Sequence, residues 1–105
     1  MFEKNKTISG IQLEKELQKH PEDLLILDVR EKAELNNEFA EADNFINIPL
    51  KAIPASLDLL EPFRNRKIVI VCHSGMRAKK AQSYLETHGF DDTEVLKNGV
   101  MGWKR

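Results

Sequence analysis

"IVIVCHSGMRAKK", residues Ile68 to Lys80, decides the fold. Four β-branched residues in a row, Ile68 to Val71, are apolar on both strand faces, which suits a strand inside a parallel sheet covered on both sides. The chain's single cysteine, Cys72, follows directly. Ser74 and Gly75 then permit a tight loop, since glycine reaches backbone angles closed to other residues. From about Arg77 to Thr87 the pattern turns helical. Ala78, Ala81 and Leu85, with Tyr84, form its buried stripe, and Gly89 stands where a helix end takes a glycine.

Leu24-Leu25-Ile26-Leu27 is a second continuous apolar run, ending in Asp28-Val29-Arg30. Upstream, Thr7-Ile8 reads as a short edge strand. Ser9 with Gln12 three residues on is a capping-box pattern. Ile11, Leu13 and Leu17 give part of an apolar stripe for a helix to about Lys19, stopped by Pro21. A short helix is expected from Lys32 to about Asn37. Phe45 to Leu50 alternates apolar and polar until Pro49, and a helix is expected around Ala52–Leu60, with Pro54 near its start. Thr93–Leu96 reads as a last strand. Strands alternating with helices predict an α/β fold: a small central, mostly parallel sheet flanked by helices on both faces, in one domain over residues 1–105.

The 105 residues suit one core, and 41% hydrophobic with 31% charged residues is a globular composition. A net charge of −1 supplies no field to attract nucleic acid or anionic lipid, so neither is expected as a partner. The charged start, Met1 to Lys6, does not read as a signal peptide. No apolar run approaches the ~20 residues of a membrane span. One cysteine forms no internal disulfide, and a lone thiol stays reduced most easily in a cytoplasm-like compartment. His20, His73 and His88 are scattered and give no metal-ligand spacing, so neither metal nor cofactor is expected. His20 and His88 fall near helix C-termini and read as structural, Tyr84 and Trp103 as core aromatics. The basic run Arg64-Asn65-Arg66-Lys67 precedes its strand, which puts it at the opposite sheet end from Cys72 as a solvated turn.

Cys72 has two readings. Free cysteine is often a small buried hydrophobe. In open parallel sheets, however, ligands bind beyond the carboxyl ends of the strands, where Cys72 stands. The helix that starts about five residues later would aim its free N–H groups and positive dipole end back at the sulfur. A free thiol has a pKa of about 8.5, and a helix N-terminus with nearby cations favours the thiolate. The same ring of N–H groups would stabilise a persulfide anion or a bound oxyanion. Arg77, Lys79 and Lys80 crowd the first helical turn, where cations oppose the dipole, and a broken local rule marks a candidate site. A solvated basic face is the alternative for the two lysines.

Cys72-His73-Ser74-Gly75-Met76-Arg77 resembles the Cys-x-x-Gly-x-Arg active-site loop of rhodanese-type sulfurtransferases. "LLILDVRE" (Leu24–Glu31) resembles that family's Asp-Val-Arg strand end, "INIPL" (Ile46–Leu50) its Asn-Ile-Pro segment, and "LKNGVMGW" (Leu96–Trp103) its C-terminal Gly-Gly-x-x-x-Trp signature. The four motifs occur in the family's order over nearly the whole chain. The resemblance implies a single rhodanese domain in which Cys72 carries sulfane sulfur as a persulfide. The sulfur would come from thiosulfate or another donor and pass to a thiophilic acceptor such as cyanide or a thiol. It implies that loop N–H groups from His73 through Ser74, Gly75 and Met76 to Arg77 hold the sulfur, that Arg77 shapes the loop, and that Asp28 and Arg30 support it. The implied partners are a small sulfur-donor anion, the acceptor, and a sulfur-relay protein that can reach the loop.

The sequence departs from the family pattern in three places. His73 stands where active members often carry arginine or lysine to bind an anionic donor, which points to weaker thiosulfate binding or to a persulfide donor. Ala40-Glu41-Ala42-Asp43-Asn44-Phe45 replaces the usual Gly-His-Ile-Pro-Gly-Ala run. Asn98 stands for the first glycine of the last signature, a mild change because asparagine tolerates left-handed angles. A phosphatase loop would have five residues between cysteine and arginine, and here there are four. The main rival is a non-catalytic binding or regulatory module. The altered Glu41–Phe45 segment favours it, and Cys72 with Gly75 and Arg77 speaks against it.

Overall fold

The structure, a computed structural model, describes residues 6–39 and 43–103. Strands β1 (Thr7–Ile8), β2 (Leu24–Asp28), β3 (Phe45–Asn47), β4 (Lys67–Val71) and β5 (Thr93–Leu96) form one sheet in the order β1-β5-β4-β2-β3. Every pairing is parallel, so the sheet expected to be mostly parallel is wholly so. The α-helices are α1 (Gly10–Lys19), α2 (Leu57–Leu60) and α3 (Met76–Thr87).

The two apolar runs do what their composition demands. All five residues of β2 are buried. Side chains alternate between faces along a strand, so Leu25, Leu27, Ile68 and Ile70 enter one core, covered by Leu60 of α2 and by Ala78, Ala81 and Leu85 of α3. Leu24, Ile26, Val69 and Val71 enter the other, covered by Leu13 of α1 and by Trp103. Fully burying each such aliphatic side chain contributes about 1.5–3 kcal/mol, so β2 and β4 anchor both layers. Cys72 continues the alternation of β4 and falls on the α3 side.

The departures from expectation are local. Ser9 caps α1 by accepting the Gln12 N–H at 3.0 Å, but the Gln12 side-chain amide donates to Glu16 instead of closing a capping box. Ile11 is 74% exposed whereas Leu13 is fully buried. Two residues apart on a helix means about 200° around it, so the pair cannot share a face. The helix expected at Lys32 shortens to a 3-10 turn, Lys32–Glu34, and Asn37 takes a left-handed φ of +65°. The helix expected over Ala52–Leu60 breaks into 3-10 turns at Leu50–Ala52 and Pro54–Ser56 before the four residues of α2. Pro54 has no N–H to carry a longer helix. The run Arg64–Lys67 does lie at the opposite sheet end from Cys72, yet it is more than a solvated turn. Arg64 stacks over the Phe90 ring at 4.1 Å and donates to the His88 carbonyl, while Lys67 pairs with Glu16 and Glu94.

The topology sets the place of a site. From β2 the chain moves outward to β3 on one side, and from β4 outward to β5 on the other. The crevice between the carboxyl ends of β2 and β4 is where the winding reverses, and ligands of open α/β sheets bind there. Asp28 is in register with Val71, so Asp28-Val29-Arg30 and Cys72 leave the sheet side by side.

Candidate active site

Cys72 sits 1% exposed at the foot of a short loop. Its Sγ accepts the Gly75 N–H at 3.0 Å and the Ala78 N–H at 3.4 Å. Gly75 is the N-cap of α3 at φ +109°, a conformation that favours glycine and turns the chain sharply enough to aim its N–H back at the sulfur. Ala78 lies in the first turn of α3, whose N–H groups have no intrahelical partner. The cradle expected from the backbone of residues 73 to 77 therefore involves Gly75 from within that span and Ala78 just beyond it. The side chains of His73, Ser74 and Met76 are exposed around it.

A second turn braces the loop from below. The N–H groups of Val100 and Met101 donate to the carbonyls of Cys72 and His73 at 2.9 and 3.3 Å. Gly99, at φ +59°, lies so close that a Cβ there would stand 2.3 Å from the His73 oxygen and 2.4 Å from the Cys72 oxygen. Asn98 adopts φ +63°, the left-handed conformation for which its residue type is suited.

Charged groups close the sides. Arg30, 2% exposed, is gripped by the Asp28 carboxylate with Nη2–Oδ2 at 2.7 Å and Nε–Oδ1 at 3.0 Å. Its outer edge meets Glu38, with Nη2–Oε1 at 2.9 Å. Asn47 donates to the carbonyls of both Asp28 and Arg30, which ties β3 to this corner. Arg77 bridges from α3 to the Lys32–Glu34 turn, its two terminal nitrogens 2.7 and 2.9 Å from the Glu34 carboxylate oxygens. That hydrogen bonding draws the Glu34 carboxyl down to a pKa of about 2, and the Arg30 guanidinium does the same for Glu38. Arg77 is in turn held above its ordinary value, mainly by its hydrogen bonds to Glu34. Glu34 and Glu38 were not singled out in the sequence, and Asn47 figured there only within the Asn-Ile-Pro segment. Ala78 was read there as part of the buried stripe, although it stands second in the helix expected to point its N–H groups at the cysteine.

Over the loop opens a cleft of about 550 Å³, lined by Arg30, Glu34, Glu38, His73, Val100 and Met101 among others. A larger hollow of about 640 Å³ lies at the opposite sheet end, between Lys15 and Lys19 of α1 and the Asn65–Lys67 turn. The smaller one is the candidate site, because it alone of the two borders His73, the residue after Cys72, and Arg30 at the topological crevice. Lys79 and Lys80 are exposed on α3, and neither lines that cleft. The altered segment Ala40–Phe45 lies partly outside the described residues, at 40–42; Asp43 and Asn44 form a bend leading into β3.

A family model, the rhodanese-like domain, matches residues 12–105. The chain belongs to the rhodanese-like domain family. This rhodanese-like domain is 28% identical over 99 residues to the mitochondrial thiosulfate sulfurtransferase RDL2 of Saccharomyces cerevisiae, covering 83% of this chain and 65% of that protein. It is 30% identical over 84 residues to a sulfurtransferase of Allochromatium vinosum, covering 80% and 75%. It also matches a tRNA uridine(34) hydroxylase of Hamiltonella defensa, 31% identical over 87 residues and 79% of this chain, but only 24% of that protein. The chain thus spans less than two thirds of the length of several curated relatives. Among solved structures, a rhodanese-like domain protein of Staphylococcus aureus superposes with a TM-score of 0.78 at 29% identity, over 94% of this chain and 91% of that one. Among the described residues no helix is long and apolar enough to cross a membrane.

Proposed function

We propose that this rhodanese-like domain is a sulfurtransferase of the thiosulfate:cyanide type that carries a sulfane sulfur as a persulfide on Cys72. The observation that carries the reading is the Cys72 Sγ at a strand end, met by two backbone N–H groups at 3.0 and 3.4 Å. Donors so placed favour negative charge on sulfur. With thiosulfate, the Cys72 thiolate attacks the outer sulfur, the S–S bond breaks, and sulfite leaves with the bonding pair. Cyanide then takes the outer sulfur of the persulfide anion as thiocyanate and returns the thiolate. The backbone ring holds charge on whichever sulfur is anionic, and Arg77 with Glu34 fixes the helix that supplies half of the ring. The names of two relatives support transfer of sulfur. A cytoplasmic setting, which keeps the thiol reduced, and a relay protein that receives the sulfur complete the reading.

The burial of Cys72 favours the second reading, a non-catalytic binding module. A persulfide places its outer sulfur about 2.05 Å beyond Sγ, so the transferable atom is not the buried Sγ itself, which lessens that objection. The test is the intact mass of reduced protein after incubation with thiosulfate or a persulfide donor, beside Cys72→Ser. A gain of one sulfur, reversed by cyanide and missing in the variant, is the expected result. No gain with either donor would leave the binding module as the better reading.

A further inference from the structure

Thiosulfate is a dianion, and a site that takes it well needs cationic side chains free to meet it. The two guanidinium groups beside the Cys72 loop are both engaged. Arg30 is held by Asp28 on one side and Glu38 on the other. Arg77, about a third exposed, has both terminal nitrogens on Glu34. Two arginines therefore meet three carboxylates, and the collar is net negative. Glu34 and Glu38, with pKa values of about 2, keep their charge throughout the neutral range. The other base lining the cleft beside Arg30 is His73, whose side chain is exposed.

We propose that Glu34 is a specificity-determining residue: by capping Arg77 it withdraws the solvent-facing guanidinium from anion binding and directs Cys72 toward persulfides of neutral or cationic thiols in preference to thiosulfate. The proposal rests on the reading of Cys72 as a sulfur carrier. The step it favours is balanced: the Cys72 thiolate attacks the outer sulfur of R–S–SH, the donor's S–S bond breaks, and R–S⁻ leaves with the bonding pair while the proton stays on the transferred sulfur. The leaving thiolate takes up a proton from water. No oxidant or reductant is needed, because the sulfane sulfur only changes partner.

The test compares kcat/KM for thiosulfate and for cysteamine persulfide in the wild type, Glu34→Gln, Glu34→Asp and the double variant Glu34→Gln/Arg77→Gln. The wild type should prefer the persulfide. Glu34→Gln should raise the thiosulfate-to-persulfide ratio on the order of tenfold, chiefly through the thiosulfate KM, since a dianion near a newly freed guanidinium gains that much even at a solvated site. Glu34→Asp, which keeps the charge, should hold the wild-type ratio, and adding Arg77→Gln should remove the gain. A measurement on the wild type alone guards against a variant that misfolds. Added salt screens repulsion between a dianion and an acidic collar, so the thiosulfate KM should fall as salt rises. A wild type that prefers thiosulfate, a Glu34→Gln ratio within twofold of wild type, or a thiosulfate KM that rises with salt overturns the proposal while leaving the sulfur carrier standing. If neither donor loads the wild-type Cys72, the carrier reading fails and takes the proposal with it.

Discussion

Asp28 and Arg30 are two residues apart, yet they form a forked ion pair, Nη2–Oδ2 2.7 Å and Nε–Oδ1 3.0 Å, almost out of solvent. The same carboxylate also accepts the Arg30 backbone N–H at 3.0 Å. The pair fixes the chain where it leaves β2, directly beside Cys72. Taking one partner away strands a buried charge, which costs about 3–5 kcal/mol. Asp28→Asn should therefore lower the urea midpoint with little change in slope, and Tm should fall by about 4–8 °C for each kcal/mol. Glu38 still touches Arg30, so the loss should lie at the lower end of that range. A midpoint that does not move would mean the pair is neutral to folding.

Acid should loosen the same corner. The Glu34 and Glu38 carboxyls titrate at about 2 in the folded chain against an ordinary value of 4.5. Groups whose folded value is depressed contribute stability that is fully present above their unfolded value and is lost as pH falls through the folded one. The unfolding free energy should thus decline between about pH 5 and pH 2, and Glu38→Gln should flatten part of that slope. Glu34 is more exposed than Glu38, so solvent screening reduces its share. Urea titrations at several pH values check this, and an unaltered slope in Glu38→Gln would locate the acid sensitivity elsewhere.

Two glycines make different demands. At Gly75 a Cβ would meet nothing nearer than 3.9 Å, so Gly75→Ala suffers only from φ +109°. At Gly99 the φ is +59°, and a Cβ would also run into the His73 and Cys72 carbonyl oxygens at 2.3 and 2.4 Å. A left-handed backbone costs an ordinary residue about 1–2 kcal/mol, and forcing backbone apart adds about 1–3 kcal/mol more. Gly99→Ala should therefore be the less stable of the two by thermal denaturation. Both should slow sulfur loading of Cys72, because each holds one side of the same loop. Equal Tm values for the two variants would contradict the close approach of the turn to the loop.

The parts legible in the sequence are those that local pattern determines. Continuous apolar runs announced β2 and β4, and a glycine between Cys72 and a helical pattern announced the cradle. The left-handed turn at Asn98-Gly99 was legible too, through its residue types. The contacts that close the site were not. Arg77 finds Glu34 across 43 positions and Asn47 reaches back to Asp28 across 19, and such pairings depend on how crossovers fold, which no local pattern records. The Ala52–Leu60 segment misled for the opposite reason. Its composition is helical, but Pro54 and the close packing of Ile53 and Leu60 into the core favour tight turns there.

The larger hollow at the far end of the sheet offers a check on where the chemistry lies. Lys15 and Lys19 line it beside Arg66 and Lys67. A strand of five residues is about 16 Å long at 3.3 Å per residue, so β4 separates that hollow from Cys72 by more than the ~10 Å over which 0.1 M salt screens surface charge. The double variant Lys15→Glu/Lys19→Glu changes the charge there by four units, and both side chains are exposed. It should leave the rate of thiocyanate formation within about twofold at that ionic strength. Lys19 lies in the last turn of α1, so a small loss of Tm is expected, since an acid there opposes the helix dipole by about 0.3–1 kcal/mol. A tenfold change in rate with the fold intact would mean that donor or acceptor touches the far hollow, and the reacting groups would then have to be sought beyond the Cys72 cleft.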